Sequence, residues 1–377
     1  MKILQICNDY CGSKVHGNLY RELDVLGIQQ TMYTCCRAVD EDGKNCFIGQ
    51  NINFIYSRIL TTKHRFLYHL KIRTSYRGLL ESVKPQDYDL THAVTLFTDG
   101  AVSYRLYKDY GIPYVVTVRN TDINEFLVVA PHTWPLALKV LRNARKIIFI
   151  SKAPQEKFCR HFVIKRILSE IQDKFIIQPN GIDDYWLSNV YKGEKNLSHN
   201  LIYVGRFDVN KNVVRLIEAV LKLKVQIPDI HLHLVGGDGW REKNVLDLVD
   251  KNSTCMTYHG KIFDKDKLRS LYRECSIFAM PSIHETFGLV YIEALSQGLS
   301  VLYTKNQGID GLLDERVGEK VNALSTISIV EGLKKMLEGR EAYLSHEVLD
   351  FEKFRWKSIA KRYVYIYEEV LSKVKEE

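Results

Sequence analysis

The chain has 377 residues, of which 46% are hydrophobic and 26% charged, with a net charge of +8. That is the composition of an ordinary soluble globular protein, and the length suits two domains of about 150–200 residues better than one. It excludes a membrane-spanning design, because no apolar run approaches the roughly 20 residues that cross a bilayer. Residues 1–10 read as a buried strand and lack the cleavage pattern of a signal peptide. The eight cysteines contain no Cys-x-x-Cys pair. Neither a zinc site nor a disulfide framework is therefore indicated, and a reducing cytosol is the simplest location.

The charge is unevenly spread. Between positions 58 and 80 lie Arg58, Lys63, Arg65, Lys71, Arg73 and Arg77 with no acid, interleaved with Phe66, Leu67, Tyr68, Leu70, Ile72 and Tyr76. Residues 139–166 are also basic, with Glu156 their only acid. Such stretches either bind an anionic membrane surface, at about 1 kcal/mol per cation near the lipid, or form the solvated face of a helix above a core stripe. No recognisable nucleic-acid-binding module is present, so nucleic acid is not an expected partner.

In chain order, residues 2–7 read as a strand and 8–17 as a loop. Residues 19–26 then read as a helix that Gly27 ends. Strands are predicted at 29–35, 89–94, 113–118 and 146–150, with a helix over 100–110 stopped by Gly111. Ser151 is placed as the cap of a helix beginning at Lys152. After a break at 178–183 and a polar connection at 192–200, the pattern repeats. Strands follow at 201–204, 231–235, 276–280 and 300–303, and helices at 213–223, 265–272, 290–295 and 327–337. A long aromatic helix at 356–375 closes the chain. Alternation of short strands and helices implies parallel sheets wrapped by helices. The predicted domains are 1–180 and 181–355, with 356–377 packing back on the first.

The chemistry concentrates in 281–298. Glu285 and Glu293 flank Thr286-Phe287-Gly288-Leu289, which reads as the turn from a strand into a helix. The first N–H groups of a helix lack partners and accept an anion. Carboxylates beside them repel phosphate but accept hydroxyls, so the stretch suits the diphosphate and the sugar hydroxyls of a nucleotide sugar. Arg206 and Lys211, five apart across a turn after a strand, are either donors to that diphosphate or solvated loop cations. The glycine turn at Gly236, Gly237 and Gly239 either admits a ligand to the backbone or is an ordinary turn. Asp122, just beyond the strand 113–118, either touches the reacting sugar or acceptor or caps a helix beginning near Ile123. His92 reads as a packed core histidine, and no cluster has metal-ligand spacing.

Taken together, these segments resemble the family 4 retaining glycosyltransferases, strongly over 178–325 and weakly over the first half. The likeness rests on Gly205-Arg206-Phe207 with Lys211, on the glycine turn, and on Pro281-Ser282 with Glu285-Thr286-Phe287-Gly288. It continues through Glu293-Ala294-Leu295 and Gly298, completing that family's Glu-x7-Glu motif. The resemblance implies an α/β fold of two facing Rossmann-like domains (GT-B), parallel sheets with helices on both faces. It implies that Arg206 and Lys211 hold the donor diphosphate opposite the N–H groups of Phe287, Gly288 and Leu289. Glu293 would bind ribose hydroxyls, Glu285 the donor sugar, and Lys261 and Ile262 the base, with Gly236 also lining the donor site. Gly12 and Asn120 would lie on the acceptor side, and Asp122 would join Glu285, Lys211 and Arg206 at the reacting centre. The run 303–311 resembles bacterial members that build surface polysaccharides. The expected activity is transfer of a sugar from a nucleoside diphosphate to a hydroxyl of a glycan or lipid-linked acceptor, with retention, without metal or cofactor. The expected location is the cytoplasm, at the inner face of the plasma membrane if the basic stretch from Arg58 to Arg77 binds lipid. The alternatives are a nucleotide-sugar epimerase on the same fold and a non-catalytic nucleotide-sugar or glycan binder.

Overall fold

The computed structural model describes residues 1–37, 42–194, 196–343 and 349–376. Lys195 of the expected polar connection and residues 344–348 of the expected second domain lie outside them, as does Glu377. The chain divides into two compact units. The first comprises Met1–Ile150, Pro154–Gly181 and Trp356–Glu377; the second comprises Ser151–Ala153 and Ile182–Arg355.

The first unit is built on strands β1 (Lys2–Ile6), β2 (Gln29–Cys35), β3 (Ile52–Ser57), β4 (Leu90–Ala93), β5 (Tyr114–Val118), β6 (Lys146–Phe149) and β7 (Phe175–Ile177). They pair in parallel in the order β3-β2-β1-β4-β5-β6-β7. A parallel sheet covered on both faces needs apolar side chains at successive positions, not alternate ones. The central strands meet that need. Ile3 and Val115 pack into the core on one face, and Leu4, Ile6, Val116 and Val118 into the core on the other.

The helix Lys14–Val25 begins five residues before its predicted start, because the Ser13 side chain accepts from the Val15 N–H and caps it. That moves His16 and Gly17 out of the expected loop and into the helix. Gly27 at φ 76° and Gly111 at φ 72° follow the helices they were expected to end, in the left-handed conformation that suits glycine. Ser151 does not act as expected: its hydroxyl is buried and makes no hydrogen bond, so the helix Lys152–Arg160 forms without that cap. The basic stretch contains the helix Tyr68–Ser82, which buries Tyr68, Ile72, Ser75, Gly78 and Leu79. Phe66, Leu67 and Leu70 nevertheless stay exposed.

The terminal helix, Trp356–Glu376, packs beside Lys14–Val25 within the same unit. Trp356, Ile359, Ala360, Tyr363, Ile366, Tyr367 and Val370 repeat every three or four positions and join Tyr20 and Leu23 in one core. The Tyr367 hydroxyl lies 2.8 Å from His92 Nδ1, and Thr117 Oγ1 lies 3.1 Å from Nε2. His92 is thus the packed core histidine expected.

The second unit has strands β8 (Asn200–Arg206), β9 (His231–Gly237), β10 (Met256–Tyr258), β11 (Ile277–Ala279), β12 (Ser300–Thr304) and β13 (Gly318–Val321). They too are parallel, in the order β10-β9-β8-β11-β12-β13. Both sheets therefore reverse strand order once, between β1 and β4 and between β8 and β11. Ligands of open parallel sheets bind beyond the carboxyl ends of the strands at such a reversal. No helix among the described residues is long and apolar enough to cross a membrane.

The terminal helix is tested by two neighbours on its surface. Ile366→Ala, at a fully buried position, is expected to cost about 2–5 kcal/mol in thermal denaturation. Tyr365→Ala, at a position 56% exposed, is expected to change stability by less than about 0.5 kcal/mol.

Candidate active site

At the β8/β11 reversal, two loops are joined by side-chain amides. Asn210 Nδ2 donates to the His284 carbonyl and its Oδ1 accepts from the His284 N–H, both at 2.9 Å. Ile283 N–H donates to the Asn210 carbonyl at 2.7 Å. Asn212, at φ 59°, donates from Nδ2 to the carbonyls of Pro281 and Ala323. Lys211 lies between these clasps, with its own N–H donated to Asp208 Oδ1 at 2.8 Å.

The result is a direct ion pair, Lys211 Nζ to Glu285 Oε2 at 2.7 Å. The two residues, expected on opposite sides of the donor, touch. Glu285 is only 8% exposed. Its backbone is held by Gln307, whose Oε1 accepts the Glu285 N–H, and by Gly308, whose N–H donates to its carbonyl. Gly308 adopts φ 50° and packs so closely that an added Cβ would press on Glu285.

Three residues on, Gly288 at φ 78° turns the chain into the helix Leu289–Ser296. The N–H groups of Phe287, Gly288 and Leu289 have no hydrogen-bond partner among the described residues. Together with the Lys211 ammonium they form a local concentration of donors. Glu293 sits one turn into that helix, and its carboxyl is pushed up to about 7, chiefly by burial, with Asp183 adding to the rise and Lys265 opposing it.

Arg206, at the end of β8, is solvent-facing and donates from Nε and Nη2 to the Asp238 carbonyl at 3.2 and 3.1 Å. Lys261 Nζ pairs with the Asp238 carboxylate at 2.5 Å, which raises the Lys261 ammonium. The backbone between them is tight: Gly236, at φ 136°, donates its N–H to Gly260, and a Cβ there would collide with the Gly205 carbonyl. Ile262 lines a surface pocket with His259, Asp266, Ser270 and Leu271. Among the described residues, no three His, Cys, Asp or Glu side chains come together as a metal site.

The remaining expected residues lie in the first unit. Gly12 is exposed in a turn closed by its N–H to the Asp9 carbonyl, and Asn120 is half-buried beside Arg119. Asp122 is 1% exposed. Its oxygens accept from the N–H groups of Leu96, Phe97 and Arg119 at 3.0, 3.2 and 2.8 Å. It is closed off from solvent and does not cap a helix at Ile123; it braces the loop after β4 against the loop after β5. Burial pushes its carboxyl up to about 6 against the pull of those three bonds. The polar side chains that do line a pocket here include His16, Tyr20, His92, Arg119, Asn180 and Tyr363. Burial, then the Arg119 charge, depresses both histidines, His92 to about 3. His16 was missed because its helix was started too late; the Ser13 cap was the available signal.

Residues 13–185 match the family described as Glycosyltransferase Family 4, and residues 192–346 match Glycosyl transferases group 1. An uncharacterized glycosyltransferase of Methanocaldococcus jannaschii is 24% identical over 303 residues, covering 76% of this chain and 77% of that protein. A lipopolysaccharide 1,2-N-acetylglucosaminetransferase of Salmonella typhimurium is 27% identical over 43% of this chain and 46% of that protein. The crystal structure of Anabaena HepE, in complex with UDP and glucose, superposes with a TM-score of 0.65 at 16% identity, covering 98% of this chain and 99% of that one. The fold is accordingly that of the two-domain GT-B proteins.

Glu293 makes a pH-dependent prediction. Folding raises its pKa from the ordinary 4.5 to about 7. Its contribution is most favourable below about 4.5 and is lost as pH rises through about 7, where the buried carboxylate must form. Glu293→Gln is therefore expected to raise stability at pH 8 by up to about 3 kcal/mol, and to change it little at pH 4.5, in thermal denaturation at the two pH values.

Proposed function

We propose that this chain, which belongs to the group 1 glycosyltransferases, transfers a sugar from a nucleoside diphosphate to a hydroxyl with retention of anomeric configuration. The observation that carries the reading is the convergence of the Lys211–Glu285 pair with the three unpartnered N–H groups at Phe287, Gly288 and Leu289. Departure of a nucleoside diphosphate builds negative charge on phosphate oxygens. Donors already aimed at that charge stabilise it without reorganisation. Lys211 and the helix start supply them, and Arg206 retains N–H groups beyond the two it gives to Asp238. These cations take the part that a divalent metal plays in other phosphate-leaving reactions.

Glu293 would accept ribose hydroxyls, and Glu285, whose Oε2 meets Lys211 and whose Oε1 accepts the Thr286 N–H, would accept a hydroxyl of the donor sugar on a remaining lone pair. The backbone near Lys261 and Ile262, beside the Gly236 turn, would take the base. The acceptor is a glycan or lipid-linked hydroxyl in the assembly of a bacterial surface polysaccharide, at the cytoplasmic face of the membrane. The name of the Salmonella relative supports that class of acceptor, and the UDP held by the Anabaena protein supports the class of donor. Arg119 in the first-unit pocket is the cation nearest the buried histidines and would meet the acceptor side, a part once expected of Asp122.

A screen of UDP-, GDP- and ADP-sugars for thermal stabilisation identifies the donor, since a ligand that binds only the folded state raises the melting temperature. With that donor, Lys211→Ala is expected to lower kcat/KM by about 100- to 1,000-fold, and Glu293→Ala to weaken donor binding by about tenfold or more. Full turnover in both variants would refute the assignment.

A further inference from the structure

The exposed part of the basic stretch forms more than a charged surface. A pocket in the first unit is assembled from the segments that follow β2, β3, β4 and β5, the edge at which parallel sheets hold ligands. Its polar wall includes Arg65, Lys71, His64 and His132, and its described lining contains no acid. Neither Arg65 nor Lys71 forms an ion pair among the described residues. His64 is already engaged by Thr61 and Thr74, which leaves Arg65 and Lys71, together with Arg37 and His132 of the same lining, as the basic groups facing an occupant.

Lys71 is the informative one. Burial depresses its ammonium below the ordinary range, and the acid that most opposes this, Asp99, is itself fully buried and forms no ion pair with it. A partly desolvated cation without a close counter-ion is costly unless an anion is supplied from outside. Beside the cations the surface turns apolar. Phe66 is 82% exposed, and Leu67, Leu70, Val128 and Val129 are exposed as well. Phe66 also lines the pocket, so cationic wall and apolar rim are continuous. An isolated exposed side chain needs no explanation, but a run of them joined to an acid-free basic pocket fits an anion that carries a hydrocarbon tail.

We infer that this pocket is the acceptor subsite for a phosphate or diphosphate attached to an apolar chain, the anion seated by Lys71 and Arg65 and the chain lying over Phe66 and Leu70. The inference rests on the proposed glycosyl transfer and adds the class of acceptor to it. No bond is made or broken in the pocket. It holds the acceptor's anchor while a sugar hydroxyl on the same molecule is presented elsewhere.

Geranyl diphosphate is a soluble probe of this chemistry, titrated by calorimetry into the full-length protein beside inorganic diphosphate, geraniol and vesicles of phosphatidylglycerol. Geranyl diphosphate is expected to bind about tenfold tighter than inorganic diphosphate or geraniol. Arg65→Ala, at an exposed position that folding does not need, and Lys71→Ala are each expected to weaken it about tenfold. Phe66→Ser is expected to weaken geranyl diphosphate and leave inorganic diphosphate unchanged. Lys211→Ala is expected to bind the probe like the wild type, which separates this pocket from the diphosphate donors of the second unit. Equal binding by wild type and the Arg65 and Lys71 variants would overturn the inference, as would loss in Lys211→Ala alone. Vesicle binding without binding of the soluble probe would also overturn it and make the surface a membrane dock. The nucleotide-sugar melting shift, measured on the same proteins, reports the donor reading separately. If no nucleotide sugar stabilises any of them while the probe behaves as stated, glycosyl transfer fails and the anion pocket stands.

Discussion

The 2.7 Å contact between Lys211 and Glu285 is the constraint on which the second unit's site depends. It joins residues 74 positions apart by using the reversal of strand order, which sets β8 directly beside β11. Asn210 and Asn212 make the contact possible. Their amides satisfy backbone groups of the facing loop that would otherwise be unpaired, so the loops meet at one distance and Lys211 has one direction to point. Gly288 and Gly308 complete the arrangement, because each adopts a positive φ close to Glu285; a side chain at 308 would press on Glu285 and one at 288 chiefly on Tyr291. A cation, a carboxylate and three open N–H groups are thereby held together before any ligand arrives.

Burial sorts the acids of the two units into different roles. Glu293 keeps part of its surface and has no hydrogen-bond donor among the described residues, and burial with the nearby Asp183 raises its pKa. Asp122 is more deeply buried, yet its oxygens are met by three backbone N–H groups. The first arrangement leaves capacity for a ligand's hydroxyls. The second spends it on joining two loops. Exposure and partner count, not residue type, separate a carboxylate with open acceptor capacity from a structural one.

The first unit shows the same economy with cations. Arg119 lines a pocket in which two histidines are held neutral by burial and by its charge. Lys71 and Arg65 line another, with an apolar rim that stays exposed among the described residues. The helix Tyr68–Ser82 reconciles the two readings of the basic stretch. Ile72 and Leu79 do form a core stripe, while the cations and the exposed Phe66 and Leu70 remain outside it.

The sequence by itself determined the central strands of both sheets, the glycines that end helices, and the residues around Glu285. Long apolar runs and left-handed glycines are local requirements that leave local marks. The four strands it did not reveal, β3, β7, β10 and β13, are the four sheet edges. An edge strand is covered on fewer sides, so it needs no continuous apolar run to announce it. Likewise, the motif identified Lys211 and Glu285 as site residues, but only the packed sheet decided that they touch. Nothing local in the chain distinguished Asp122 from a ligand-facing acid. That distinction came from Leu96, Phe97 and Arg119 converging on it, and convergence of distant backbone is a property of the tertiary structure alone.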